Sequence, residues 1–224
     1  QRGPLRVSPD RTHLEHADGT PFFWLADTTW AGALLAGADD WSRYLADRKN
    51  KHFNVIQLLG TQYVAAAGDA QGRQAYTGQE KIILDPYFFR RLDARFDALN
   101  DAGFVAAPAF AWAAQYMPAA KQLNPGAWLP DDQLAAFGRY FIARYGAHQV
   151  VWMFAGDFDY RPPAVAERWR KLGRAIVCIG AFLALSYSHA EPAPPILVDR
   201  IAAVVNNDVI LLSEVERRTA MMAG

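Results

Sequence analysis

The chain has 224 residues, enough for one large domain or two small ones, and its 52% hydrophobic and 21% charged residues are those of a globular protein rather than a disordered one. Twenty-three basic side chains balance twenty-three acidic ones, so nothing in the charge points to nucleic acid or an anionic membrane as partner. The single cysteine, Cys178, excludes an intrachain disulfide and a cysteine-based zinc site.

The first stretch, residues 4–30, alternates in the manner of short strands joined by turns, with Asp18-Gly19 as a hairpin signal. Next, "DDWSRYLADRKNKH" places Trp41, Tyr44, Leu45 and Arg48 at helical spacing, with Asp39 or Asp40 as the expected N-cap. "FNVIQLLG" is a buried strand. A longer loop leads to "PYFFRRLDARFDALNDAG", whose Phe89, Leu92, Phe96 and Leu99 make one apolar stripe ended by Gly103.

The same alternation repeats twice more. "FVAAPAFAW" is strand-like, with Pro108 restricting its pairing. It precedes a helix with Leu134, Phe137, Phe141 and Tyr145 on one face. "QVVWMFAGDFD" is another buried strand, and "AVAERWRKLGRAI" another amphipathic helix. Four strand-then-helix units in a row predict an α/β fold with a parallel sheet and helices packed outside it, either open and doubly wound or a barrel. No dinucleotide fingerprint and no phosphate loop is present. Instead the strands end in polar or aromatic residues, Asp27 and Trp30, Gln57, Trp112, and Asp157. That favours a barrel, where such positions face the active site. Four units make half of eight, so the expected fold is a partial (β/α)8 TIM barrel behind an N-terminal β-hairpin region.

From Arg168 the grammar changes. Arg168, Arg170, Lys171 and Arg174 precede an uncharged apolar run from Ala175 to Tyr187, then Ser188-His189-Ala190 and a Pro-rich segment. This is the order of a secretory signal peptide, placed far from an N-terminus. The run is shorter than the roughly 18 apolar residues of a membrane-spanning helix, so no stable span is expected. Beyond it, two β-rich runs flank Asn206-Asn207-Asp208 as a hairpin, and Ser213 with Glu216 forms a capping-box pattern opening a helix.

Glycoside hydrolysis normally uses two carboxyl groups flanking the scissile bond. Asp157 is the best local candidate for one: it ends an apolar strand after Gly156, which lets the backbone turn and a ligand approach. From spacing alone, the other and commoner reading is a plain loop cap. Asp159, two positions on, is a weaker candidate. Asp27 has the same setting at the end of the first long strand, as sugar ligand or as a cap holding Thr28 or Thr29. Trp30 and Trp112 are either stacking platforms or core, and Gln57 is either a hydroxyl contact or a satisfied buried amide. The five His are scattered, with no ligand pairing at helical spacing, so neither a metal nor a cofactor is expected.

At these residues the sequence resembles a known family. "HADGTPFFWLADTTW", "FNVIQ" and "WMFAGDFDYRP" look like the apiosidase-like glycoside hydrolases, carbohydrate-degrading (β/α)8 barrels, over residues 4–176. The resemblance implies a carbohydrate substrate in plant cell-wall or pectic glycans. It implies Asp157 as acid/base, with Asp27, Trp30 and Gln57, alongside Trp112, at the sugar pocket. Phe154-Ala155-Gly156-Asp157 stands where the family usually has two glycines before the Asp. The family's second carboxylate comes from the later half of the barrel, so a truncated and inactive hydrolase domain is expected, with a non-catalytic sugar-binding module as the alternative. "VDRIAAVVNNDVILLSEVERR" is similar to the start of SurA-type periplasmic chaperones of outer-membrane proteins, with "AIVCIGAFLALSYSHA" as their signal peptide. The expected division is therefore a barrel portion at 1–176, a signal-like segment and linker at 177–195, and an unrelated hairpin-helix tail at 196–224. A periplasmic or secreted location follows from the same resemblance, and a chaperone fragment is the other reading of the whole.

Overall fold

The computed structural model describes residues 2–113, 123–156, 159–184, 201–205 and 208–211. An antiparallel meander comes first: β1 (Leu5–Val7), β2 (Leu14–His16) and β3 (Pro21–Phe22), in that spatial order. Gly19 makes the tight turn between β2 and β3 at φ +85°, where a side chain would be strained.

The central sheet is parallel. β4 (Ala26–Trp30) pairs with β5 (Val55–Leu59), and β5 pairs with β8 (Val105–Ala109). Residues 150–153 continue it as a fourth parallel strand, joined by bridges from Ala106 to Val150 and from Ala109 to Met153. The gap between those bridges has a chemical cause. The Ala106 amide bonds the Gln149 carbonyl, and the Ala106 and Pro108 carbonyls accept from the Val151 and Met153 amides. Pro108 has no N–H to return to Val151, so one rung is missing and the ladder is interrupted where the proline sits. Between β5 and β8 a small hairpin of β6 (Tyr76–Thr77) and β7 (Ile83–Leu84) decorates the connection.

Each long strand leads into a helix: α2 (Ala38–Asn50) after β4, α3 (Pro86–Asp101) after β5, α5 (Asp131–Tyr145) after β8 and α6 (Pro163–Ala184) after residues 150–153. The short helices α1 (Gly32–Leu35) and α4 (Pro125–Trp128) sit in the intervening loops. Spatial order follows chain order with no reversal. Crossovers of one hand then put every helix on the same face of the sheet, which is barrel winding rather than the doubly wound alternative.

Two apolar clusters record the two faces. On the helix side, Ile56, Leu58 and Ala106 pack with Trp41, Leu45, Phe89, Phe96, Phe137 and Phe141. On the inner side, Val55, Val105, Ala107 and Val151 pack with Leu5, backed by Leu14, Phe22 and Trp24 of the meander and its exit. The meander therefore plugs the N-terminal end of the half barrel.

The helices match their sequence stripes. Leu134, Phe137, Phe141 and Tyr145 are all fully buried on α5. One detail differs: Gly37 is the N-cap of α2, and Asp39 and Asp40 lie in its first turn. There they favour the positive end of the helix dipole instead of capping it. The expected boundary at 176–177 falls inside α6, which stays helical to Ala184. Trp169, Leu172 and Ile176 face the core, and Arg168 reaches back to the β8–α5 loop, bonding Asp131 and the carbonyls of Gly126 and Leu129. β9 (Ile201–Val205) and β10 (Asp208–Leu211) pair antiparallel, with Asp208 opposite Val205; Asn206 and Asn207 of the expected hairpin lie outside the described residues. The expected capping box at Ser213 and Glu216 lies outside the described residues.

Candidate functional site

The C-terminal ends of the four parallel strands deliver one group of side chains. Trp30 ends β4, Tyr63 follows β5, Trp112 follows β8, and Gly156 follows residues 150–153. Trp112 is the hub. Its ring meets Trp30 edge-on at 5.5 Å between centroids and Tyr63 at 5.7 Å. It is only 5% exposed, whereas Trp30 is half-buried. Trp112 is thus part of the packed core, and Trp30 is the more exposed of the two.

Trp30 holds that place at φ +25°, unusual for a non-glycine residue, beyond a register irregularity between Thr28 and Trp30. Strained backbone of this kind clusters at functional sites. Burial pushes the Tyr63 hydroxyl above its ordinary value, so it stays neutral across the physiological range.

Gly156 belongs to the same packing. A Cβ there would stand 2.3 Å from two carbons of the Trp112 ring. The sequence suggested a glycine for tight turning; the structure adds that the ring occupies the space a side chain would need. Tyr160 closes the segment by donating its hydroxyl to the Gly156 carbonyl at 2.8 Å. Asp157, next in the chain, lies outside the described residues. Asp159 is engaged with Arg161, through its backbone amide and its guanidinium at 2.8 Å.

Earlier on the same strands, two residues before Trp30, lies a polar pair. The register sets Thr28 opposite Gln57, and the Thr28 hydroxyl donates to Gln57 Oε1 at 2.7 Å. Gln57 Nε2 approaches Met153 Sδ at 3.7 Å. Thr28, Gln57 and Met153 share the inner face, one layer above the apolar plug.

Asp27 is not part of this layer. Alternation along β4 sends its side chain to the helix side, where its Oδ2 accepts the Tyr44 hydroxyl at 2.7 Å and lies 3.4 Å from Arg48 Nε. Burial, then the bond to Asp27, raises the Tyr44 hydroxyl far above its usual value, so this remains a neutral donor tying α2 to β4. Of the residues singled out in the sequence, the fold brings Trp30 and Trp112 into contact, sets Gln57 on the inner face, and turns Asp27 away. Thr28, Tyr63 and Tyr160 were missed. Thr28 was recoverable only by fixing the β4–β5 register, and Tyr63 by its place just past the end of β5. No group of three or more potential metal ligands converges among the described residues, and no helix among them is long and apolar enough to cross a membrane.

The match to a family model decides the affiliation: residues 8–196 fit the model described as apiosidase-like, catalytic domain. The chain belongs to that family. Solved structures agree on the architecture of this apiosidase-like domain. One described as a glycoside hydrolase superposes with a TM-score of 0.65 at 23% identity, covering 80% of this chain and 39% of its own. A family 5 glycoside hydrolase from Bacteroides vulgatus gives 0.65 at 24% identity, covering 80% and 37%. An exo-beta-1,4-mannosidase from an Opitutaceae bacterium gives 0.54 at 16%, covering 74% and 31%. The chain spans about two fifths of the length of the first two structures. At these identities the likeness establishes the TIM-barrel-type fold. No curated protein matches the chain. The family match ends at residue 196, and none of these comparisons bears on the chaperone-like reading of the tail.

Proposed function

We propose that the apiosidase-like domain binds a plant cell-wall glycan of the pectic type at the C-terminal ends of its parallel strands. The observation that carries this reading is the Trp30–Trp112–Tyr63 group at the strand ends, with the hydrogen-bonded Thr28–Gln57 pair on the same sheet two residues before Trp30. An apolar ring face beside fixed amide and hydroxyl groups suits a sugar, whose C–H faces and hydroxyls alternate. Asp157 is the proposed acid/base. It follows Gly156 directly, and Gly156 is packed on Trp112 and bonded by Tyr160.

Hydrolysis through two carboxyl groups needs a partner for Asp157 at about 5–5.5 Å for retention, and farther for inversion. Asp27 does not serve, because its carboxylate is committed to Tyr44 and Arg48 on the opposite face. Asp159 is bonded to Arg161 as well, and with both candidate partners engaged we propose that the domain binds the glycan without turning it over.

Titration of the chain with apiose-bearing pectic oligosaccharides, followed by tryptophan fluorescence, separates the two halves of the proposal. A saturable change that is lost in Trp30→Ala, with no sugar released, is expected. Absence of binding sinks the glycan reading. Release of sugar that Asp157→Asn abolishes sinks the claim of no turnover.

A further inference from the structure

The polar layer inside the half barrel fixes more than the position of Gln57. A glutamine amide has an acceptor end and a donor end of nearly equal shape, and its neighbours decide which faces where. Met153 Sδ carries no hydrogen and can only accept, weakly. The amide end 3.7 Å from it is therefore the NH2 end. The carbonyl end then meets Thr28, which donates its hydroxyl hydrogen at 2.7 Å. One amide hydrogen of Gln57 is turned to sulfur, and no acceptor among the described residues takes the other. Gln57 is half-buried and Thr28 exposed, so this second hydrogen is open to a ligand above the plug.

We propose that Thr28 is a positioning residue that locks Gln57 as a hydrogen-bond donor, so that this subsite selects a sugar oxygen acting as acceptor. The inference rests on the glycan reading of the site given above. With the hydroxyl removed, the amide is free to rotate and offers either end to the ligand. A net hydrogen bond of about 0.5–1.5 kcal/mol corresponds to a loss of roughly two- to tenfold in affinity.

Two measurements on the full chain test this. In the first, the side-chain NH2 signals of Gln57 are followed by 15N-edited NMR without any ligand. Thr28→Val, which keeps the shape and loses the hydroxyl, is expected to shift or broaden them, and Thr28→Ser to restore the wild-type positions. Unchanged signals in Thr28→Val overturn the proposal whether or not a glycan binds. In the second, affinity for the pectic oligosaccharides falls two- to tenfold in Thr28→Val and returns in Thr28→Ser, with thermal midpoints equal to wild type. Equal weakening in both variants, or none, overturns the positioning role. Wild-type chain that fails to bind at all overturns the glycan reading instead, while the NMR result still decides how Thr28 acts on Gln57.

Discussion

At the scale of single residues, the site is built from contacts that leave no slack, and Gly156 is the clearest case. A Cβ at 2.3 Å from Cε3 and Cζ3 of Trp112 is far inside the roughly 3.5–4.0 Å at which carbon atoms attract. Gly156→Ala must displace the indole or the backbone, and overpacking of this kind costs about 1–3 kcal/mol. A urea titration is expected to show that loss together with a changed near-UV signal from the tryptophans. Trp112→Phe in the same chain should return part of it, because the two positions share one contact. A wild-type urea midpoint for Gly156→Ala would show that the ring does not depend on this glycine. The sequence marked the position but not the reason. "FAGD" reads as a turn before an acid, and only the fold shows that a tryptophan 44 positions earlier fills the space. Asp27 shows the opposite failure. Its composition and strand-end position suited a sugar ligand, but one step of alternation separates it from Thr28, and the register that settles the parity is a tertiary fact.

At the scale of elements, what was legible followed from local chemistry. The stripes of α3 and α5 were visible because residues three and four apart must face the core together. The interrupted fourth strand was half visible: Pro108 announced a missing donor, but not that the gap would fall toward residues 150–153. Helix starts were less legible, since Asp39 and Asp40 looked like caps and are first-turn residues. Asp85 is the cap that local reasoning should favour, with Pro86 directly after it. Its Oδ1 accepts from the amides of Tyr87 at 2.8 Å and Phe88 at 3.4 Å, and its Oδ2 meets Arg73 at 3.0 Å. Burial pushes this carboxyl up, but the bonds from Arg73 and the two amides outweigh it and leave the carboxyl below its ordinary value. A depressed value means that the charged form stabilises the fold above the unfolded-state pKa of about 3.9, and that this stabilisation is lost as pH falls through the lower, folded value. Asp85→Ala is expected to cost about 1 kcal/mol at pH 7. The gap between variant and wild type should close below about pH 4. A gap that stays constant down to pH 2 in denaturant titrations would show that the charge of Asp85 plays no part in the cap.

At the scale of the whole molecule, the question is whether the N-terminal meander is an appendage or a structural part of the half barrel. Barrel winding was legible in the order of the elements, because four strand-helix units in succession leave few topologies. The role of the first 25 residues was not, since short alternating strands read the same on a surface as under a barrel. The packing decides it. Leu5 is 3% exposed and shares one cluster with Val55 of β5, Val105 and Ala107 of β8, and Val151 of the fourth strand. These inner-face residues belong to a cluster distinct from the one that the helices cover. Without the meander the floor of the sheet would face water, and the inner cluster would lose its largest apolar contributors, Leu5, Leu14, Phe22 and Trp24. Leu5→Ala removes a side chain that the surrounding strands are too constrained to follow, so a loss of about 2–5 kcal/mol is expected. That loss should appear in the main unfolding transition of the barrel strands, followed by tryptophan fluorescence from Trp112 and Trp152, and not in a separate early step. An early transition confined to the meander, with the midpoint of the main one unmoved, would mean that the plug and the sheet fold independently. A shared loss would mean that the layer carrying Thr28 and Gln57 stands on a floor whose stability is set by residues outside the site.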